Sequence, residues 1–313
     1  MAGNEDKILT INKILTTAPN GRDAFPKTVA KGVWGLAMKG SVAQRLAGSI
    51  PVALNGTAIP IPVGQPTAGI VAEGAAKPVG ELGAKVKTVQ PIKTALIIIY
   101  SMETAQADPL GEYSRIQATL AEGIARAIDT AVIYGIDANT GTAITGQESL
   151  SATTLSQEID LASTKPNYLT DALVDAYSKV TVGTDYSFSS FLLSEKFRAP
   201  LAKAADSTGR PLYQDAVNLA AEWTRVMGLP ATFSKAVDGY EKAKTPATKV
   251  LGFGGDFKDA LRLGFVENIT FRRASEYAAG IDLFGRNLGA ILAEAQFGFA
   301  LRDPAAFVKL TSK

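Results

Sequence analysis

The 313-residue sequence contains neither cysteine nor histidine. The first absence excludes disulfides, thiol nucleophiles and thiolate metal sites, and beyond removing thiol redox chemistry it is neutral about compartment. The second removes the commonest acid/base group of neutral pH and the commonest metal ligand together, which weighs against most enzyme classes. Charge of one sign is not in excess either. The 32 lysines and arginines nearly cancel 30 acids, and the two kinds alternate instead of gathering in blocks. No polybasic arm for nucleic acid or membrane is visible, so any DNA contact is expected to be diffuse and weak. The longest apolar run, Ala95 to Tyr100, is far too short to cross a bilayer. The opening "MAGNEDKILTINKILTT" puts acids ahead of any apolar run and has no cationic lead with a small-residue cleavage site. No secretory signal is therefore expected, and the chain is expected to be made and kept in the cytoplasm.

What is present is a globular composition, 46% apolar and 20% charged, long enough for one large domain or two lobes with an ample core. From Met1 to about Lys31, Pro19, Gly21 and Pro26 break any periodicity, and the segment reads as an extended arm lying on a neighbour. The stretch "VWGLAMKGSVAQRLAGSIPV" suggests short helical turns. Thr57 to Val63 and Ala84 to Ile92 look extended, and their prolines suit an exposed two-stranded ribbon because each removes a ladder donor. Between them lies "VAEGAAKPVGELGAKVK", Val71 to Lys87, which has almost no large apolar group and packs on nothing of its own. "KTALIIIYSM" reads as a strand buried on both faces. The clearest helix runs from Pro109 to Tyr134, capped by Asp108 and ended by Gly135, with Tyr113, Ile116, Leu120, Ile124, Ala127, Ile128 and Ala131 on one face. Its other face carries Glu112, Arg115, Glu122 and Arg126, read either as solvated ion-pair partners or as groups set against another subunit.

Gly135 to Asn167 reads as loop. A helix from Thr170, a buried strand "SFSSFLLS", a helix from Ser194, a helix over Leu219 to Met227 and a strand in "GLPATFSKAV" then indicate a mixed lobe. "DALRLGFVENITFRRASE" and "FGRNLGAILAEAQFGFALRD", joined around "YAAGID", read as a long antiparallel hairpin, and "PAAFVKL" as a final strand.

Searches for chemistry come back thin. "GFGGDF", Gly252 to Phe257, places Phe257 where a dinucleotide fingerprint needs its third glycine, and a strand-to-turn junction accounts for the glycines. Glu73 with Glu81, and Asp206 in "ADSTGRPLY", lack apolar neighbours to desolvate a catalytic acid. A serine hydrolase lacks its histidine and its Gly-x-Ser-x-Gly elbow; a Ser-Lys dyad stays open, although no pair stands out. Arg272 and Arg273 form the only adjacent arginine pair, suited to a protein interface, with solvation or nucleic acid as the other readings. No cofactor and no metal are expected.

The order of elements, and the phrases "IVAEGAAKPVGELGAKVKTVQPIK" leading to "YSME", "ARAIDTAVIYG", "ADSTGRPLY", "VMGLPATFS", "LGFGGDF" and "GFALRDPAAFVKL", resemble the major capsid proteins of tailed bacteriophages, the Hong Kong 97-type shell fold. The resemblance spans nearly the whole chain. It implies an α+β fold with an N-terminal arm, an extended β-hairpin loop, a peripheral domain with a long spine helix, and an axial domain. The implied divisions are 1–53 for the arm and start of the peripheral domain, 54–93 for the extended loop and 94–164 for the peripheral domain with its spine. The axial domain follows at 165–256, the long hairpin of the peripheral domain at 257–303 and the C-terminal strand at 304–313.

As a shell protein the chain would form pentamers and hexamers of an icosahedral lattice around double-stranded DNA, held without sequence preference, in a virion capsid assembled in the cytoplasm of a host bacterium. The tip "SEYAAGID" would lie near a threefold contact. A portal protein is an implied partner, a separate scaffold protein and decoration proteins are further candidates, and no membrane is involved. Glu73, Lys77, Glu81, Lys85 and Lys87 would be intersubunit contacts, individually weak but repeated, with Glu112, Arg115, Glu122, Arg126, Arg272 and Arg273 as further candidates. Some members link a loop lysine covalently to an asparagine; neither Asn268 nor Asn287 sits in a phrase that supports this here. Because the arm follows Met1 directly, a separate scaffold or none is the expectation. An encapsulin-like nanocompartment shell around an enzyme cargo is the alternative, and a Ser-Lys or carboxylate hydrolase the rival from another class.

Overall fold

The computed structural model describes residues 41–63, 68–73, 76, 77, 79, 83–103, 112–163, 167–184, 186–204, 210, 212, 213, 223–238 and 249–313. The expected arm, Asp108, Pro109, Glu81 and Asp206 lie outside these residues. The helices are α1 (Val42–Leu46), α2 (Glu112–Tyr134), α3 (Tyr168–Thr181), α4 (Arg198–Lys203) and α5 (Phe257–Ala260). The strands run from β1 (Gly48–Ser49), β2 (Thr57–Val63), β3 (Gly83–Val89), β4 (Ile92–Ser101) and β5 (Leu155–Ile159) to β6 (Ser190–Leu193), β7 (Trp223–Val226) and β8 (Leu229–Phe233). They continue with β9 (Val250–Gly255), β10 (Leu261–Ala274), β11 (Tyr277–Ala278), β12 (Ile281–Asp282), β13 (Leu288–Leu301) and β14 (Phe307–Ser312).

Two sheets carry the body. One has the order β1-β10-β13-β4, in which β10 and β13 form the long antiparallel hairpin and β4 adds antiparallel to β13 from Leu288↔Ser101 to Phe297↔Ile92. The other has the order β5-β14-β9-β6-β8-β7. Its β14 sits inside, parallel to β5 and antiparallel to β9. Side chains alternate across this sheet as a pleat requires: Leu192 and Phe307 join the core under α2, while Phe191, Leu193, Val308 and Leu310 join a second core under α3. The sheet is therefore the shared wall of two apolar layers.

Helix α2 stands on the first core through Leu120, Ile124, Ile128 and Ala131, all at most 3% exposed. It stops at Gly135, whose φ of 68° is the left-handed conformation glycine adopts without a Cβ penalty. The Gly135 N–H donates to the Ala131 carbonyl at 2.9 Å. On its buried side α2 also carries Asp129, a fully enclosed carboxylate. Its Oδ1 accepts from the Ser41 hydroxyl at 2.8 Å and the Ala43 N–H at 3.0 Å, and its Oδ2 from the Val42 N–H at 3.3 Å. Those are the donors that open α1, so α2 caps a second helix from the side.

Three expectations are corrected and a fourth is refined. "KTALIIIYSM" is not buried on both faces: β4 is an edge strand with Leu96 38% and Ile97 41% exposed. A continuous β-branched run shows extended backbone but not how many faces are covered. The expected loop 135–167 contains β5, whose alternating Leu155-Ser-Gln-Glu-Ile159 was masked by surrounding Ser and Thr. In the expected helix over Leu219 to Met227, the described part is strand: Trp223 to Val226 form β7. Met227 and Gly228, at φ 56° and 78°, turn it back into β8. Two successive positive φ values are the two-residue hairpin geometry that follows strand twist. Of the glycines of "GFGGDF", Gly252 and Gly254 lie inside β9, where a Cβ on Gly254 would collide with the Phe188 ring, while Gly255, at φ 149°, ends the strand at the junction where Asp256 caps α5.

Candidate assembly surfaces

Among the described residues, the groups that could have supplied chemistry are engaged in structure or stand apart. The described serine that stands beside both a lysine and an acid is Ser194, which is fully buried. Its hydroxyl donates to Asp238 Oδ2 at 2.6 Å and accepts from the Lys196 N–H at 3.1 Å. Lys196 Nζ lies 3.0 Å from Asp238 Oδ1, not on the hydroxyl. An enclosed hydroxyl whose proton goes to a carboxylate caps the turn that starts α4 and is no nucleophile. Glu73 is exposed. Among the described residues no three acids cluster so as to hold a metal ion.

The surfaces that remain are projections. Strands β2 and β3 pair from Thr57↔Val89 to Val63↔Gly83 as an isolated two-stranded ribbon. Its foot is fixed: Val89 is fully buried with Val52 and Ala300. There Lys87 Nζ meets Glu148 at 2.6 Å and donates to the Leu301 carbonyl at 2.5 Å. Beyond the foot the ribbon has no cover: Val86 is 67% exposed, and Ile70 and Val79 on the connecting segment are 107% and 94% exposed. Glu73, Lys77 and Lys85 are exposed there as well. The structure thus separates one predicted residue from the others, because Lys87 is engaged within its own chain.

On α2 the predicted polar face takes the form of an i,i+4 ion pair, Arg126 Nη2 to Glu122 Oε2 at 3.1 Å. Arg115 is exposed one turn and more away, and the Glu112 side chain lies outside the described residues. Arg272 and Arg273 are exposed on β10 near the far end of the long hairpin. Across the sheet, Glu294 is held below the usual carboxylate range, first by the Lys93 ammonium that it meets at 2.7 Å and less by Arg272. The hairpin ends in β11 and β12, which Ala279 and Gly280 connect at φ 52° and 84°. A small core of Leu283, Leu288 and Ala290 stiffens this tip, yet Tyr277 is 65% and Phe284 84% exposed on it. Sequence reasoning named the arginines and passed over these two aromatics, which stand beside turn residues and had no periodicity to mark them. Ribbon, tip and the edge strand β4 all present apolar side chains to the outside, the form taken by surfaces meant for a partner.

A body of two sheets and one long helix with an outlying ribbon and a stiff outlying tip is the α+β capsid architecture. A solved chain from Gordonia phage Cozz superposes with a TM-score of 0.75 at 28% identity, covering 96% of this chain and 92% of that one. The capsid of a native GTA particle computed with C5 symmetry superposes at 0.62 and 17% identity, over 95% and 94% of the two chains. Among curated proteins, the probable major capsid protein gp17 of Mycobacterium phage L5 is 26% identical over 288 residues, 88% of this chain and 85% of that protein. Its counterpart from Mycobacterium phage D29 is 27% identical over 312 residues, covering 90% and 88%. The phage capsid family matches residues 21–312, and the chain belongs to that family.

Proposed function

We propose that this chain is the major capsid protein of a tailed bacteriophage, a structural protein whose copies assemble as pentamers and hexamers into an icosahedral shell around double-stranded DNA. The observation that carries the reading is the pairing of a family match over residues 21–312 with a ribbon that finds no cover in its own molecule. An isolated two-stranded hairpin is marginal in water. A ribbon of β2 and β3 with an exposed valine on it makes physical sense when an adjacent copy supplies the missing wall. On this reading Glu73, Lys77, Glu81 and Lys85 meet a neighbour, residues 54–93 act as the extended loop, and α2 is the spine. Tyr277 and Phe284 would bring the hairpin tip against other copies at a threefold contact. The packaged DNA is held through its phosphates alone and in a salt-sensitive manner, with a portal protein and, where used, scaffold and decoration proteins completing the particle. The relatives named above do not favour the nanocompartment. Expression of the chain alone, followed by electron microscopy of the lysate and the purified fraction, tests the proposal: closed shells are expected, and monodisperse monomers at every concentration would overturn it.

A further inference from the structure

Between the foot of the ribbon and the body lies a cavity of about 130 Å³, far above the ~10–15 Å³ that a single water requires. One wall is β2; the others include Lys87 of β3, Asp259 of α5, Arg262 of β10 and Arg302 just past β13. Three cations thus line a space with one acid. Lys87 is already met by Glu148 at 2.6 Å. Arg262 reaches Asp259 at only 3.5 Å, and that carboxylate is 60% exposed. Arg302 has no ion pair among the described residues, and its Nε is buried without a hydrogen-bond acceptor. The nearby Tyr186 ring, 5.8 Å from the guanidinium carbon, offers its π face to the charge but no acceptor to the N–H. Arg302 and Arg262 thus bring two guanidinium groups to one space, and the group that matches such planar forks best is a planar or tetrahedral oxyanion that takes two N–H bonds at once.

We propose that this cavity is an oxyanion site, taking one phosphate or one carboxylate group that completes Arg302 and Arg262 on the body and faces Lys87 on the ribbon. An occupant there ties the ribbon to the body by charge as well as by the Val52, Val89 and Ala300 packing. The shared chemistry has two sources, free inorganic phosphate and an acidic side chain presented by a second copy of the chain.

The test titrates inorganic phosphate into the dissociated full-length chain by calorimetry, at constant ionic strength set with chloride. Saturable one-to-one binding is expected, weakened at least tenfold by Arg302→Gln and unchanged by Arg272→Gln, an exposed arginine far along the same hairpin. Far-UV circular dichroism checks that Arg302→Gln folds; if it does not, Arg262→Gln carries the same expectation. Heats that never saturate, or equal affinity in the cavity variant, would overturn the site. Repeating the titration on assembled particles separates the sources. A site still open to phosphate in particles identifies a free anion as the occupant, and a site open in the dissociated chain but closed in particles identifies a neighbour's carboxylate. Because the first arm needs no assembly, failure of the oxyanion site is distinguishable from failure of the shell reading.

Discussion

Asp129 shows how one side chain can fix the course of another segment. Its carboxylate serves three donors, the Ser41 hydroxyl and the Val42 and Ala43 N–H groups, all at fully buried or nearly buried residues. Truncation leaves those donors without an acceptor, at a cost of about 1–3 kcal/mol for such a buried group. Asp129→Ala is expected to lower the unfolding free energy of the dissociated chain, read from urea titration, by that amount, and Asp129→Asn by less, because its amide oxygen keeps one acceptor. Asp137 behaves differently. The Thr140 hydroxyl, and then the Asn139 and Thr140 N–H groups, hold its carboxyl below the ordinary value against the opposing effect of partial burial. A depressed carboxylate contributes stability that is present above its unfolded pKa and lost as pH falls through the folded one. NMR titration of Asp137 is therefore expected to give a folded value below 3.8, returning upward in Thr140→Val, with local loosening of this turn confined to acid conditions. An unchanged titration in Thr140→Val would show that the hydroxyl is not the main cause.

At the scale of elements, the ribbon is separable from the body. Among the described residues its buried anchor is the cluster of Val52, Val89 and Ala300 at the foot. Replacing residues 64–82 by a short turn is expected to leave the circular dichroism spectrum unchanged and the unfolding free energy from urea titration within the range of surface changes, about ±0.5 kcal/mol, while abolishing shells in the microscope. Retained shells would show that the projecting part is not what joins copies. The ribbon was legible in the sequence because prolines at 60, 62 and 91 and the lack of large apolar groups act locally. So was the long hairpin, whose partly alternating segments form strands of fourteen residues each. The helix α2 was legible through its period and its terminal glycine. What stayed hidden depends on distance. Nothing within "KTALIIIYSM" tells that β4 finds a strand on one side only, and nothing within Leu155 to Ile159 tells that β14 lies beside it. The two-residue turns make the same point more finely: Ala279-Gly280 was read within a turn, whereas Met227-Gly228, with the same backbone signs, was divided between the end of a helix and the start of a strand. Of the exposed residues on the projections, the sequence pointed to charged candidates and not to the aromatic ones, since Tyr277 and Phe284 stand out only through their exposure. The oxyanion cavity could not be read at all, for Lys87, Arg262 and Arg302 are far apart in the chain.

At the scale of the whole molecule, the six-stranded sheet couples the two cores. Alternate residues of β6 face opposite layers, Leu192 toward α2 and Phe191 and Leu193 toward α3. Neither layer can melt without exposing one face of the other's wall, so the body is expected to unfold as a single cooperative unit. Coincident urea transitions by far-UV circular dichroism and by tryptophan fluorescence check this, and two separated midpoints would contradict it. The ribbon's composition acts at this scale too. Proline has no N–H to give, so Pro60 and Pro62, opposite Val86 and Ala84, must sit where the missing donor faces away from β3. The outer rim of β2 is thereby blank at alternate residues, and a third strand cannot zip onto it. A molecule that must gather in many copies at high local concentration needs protection from stacking its hairpins into endless fibrils. Two imino acids supply that protection along the β2 edge of the ribbon.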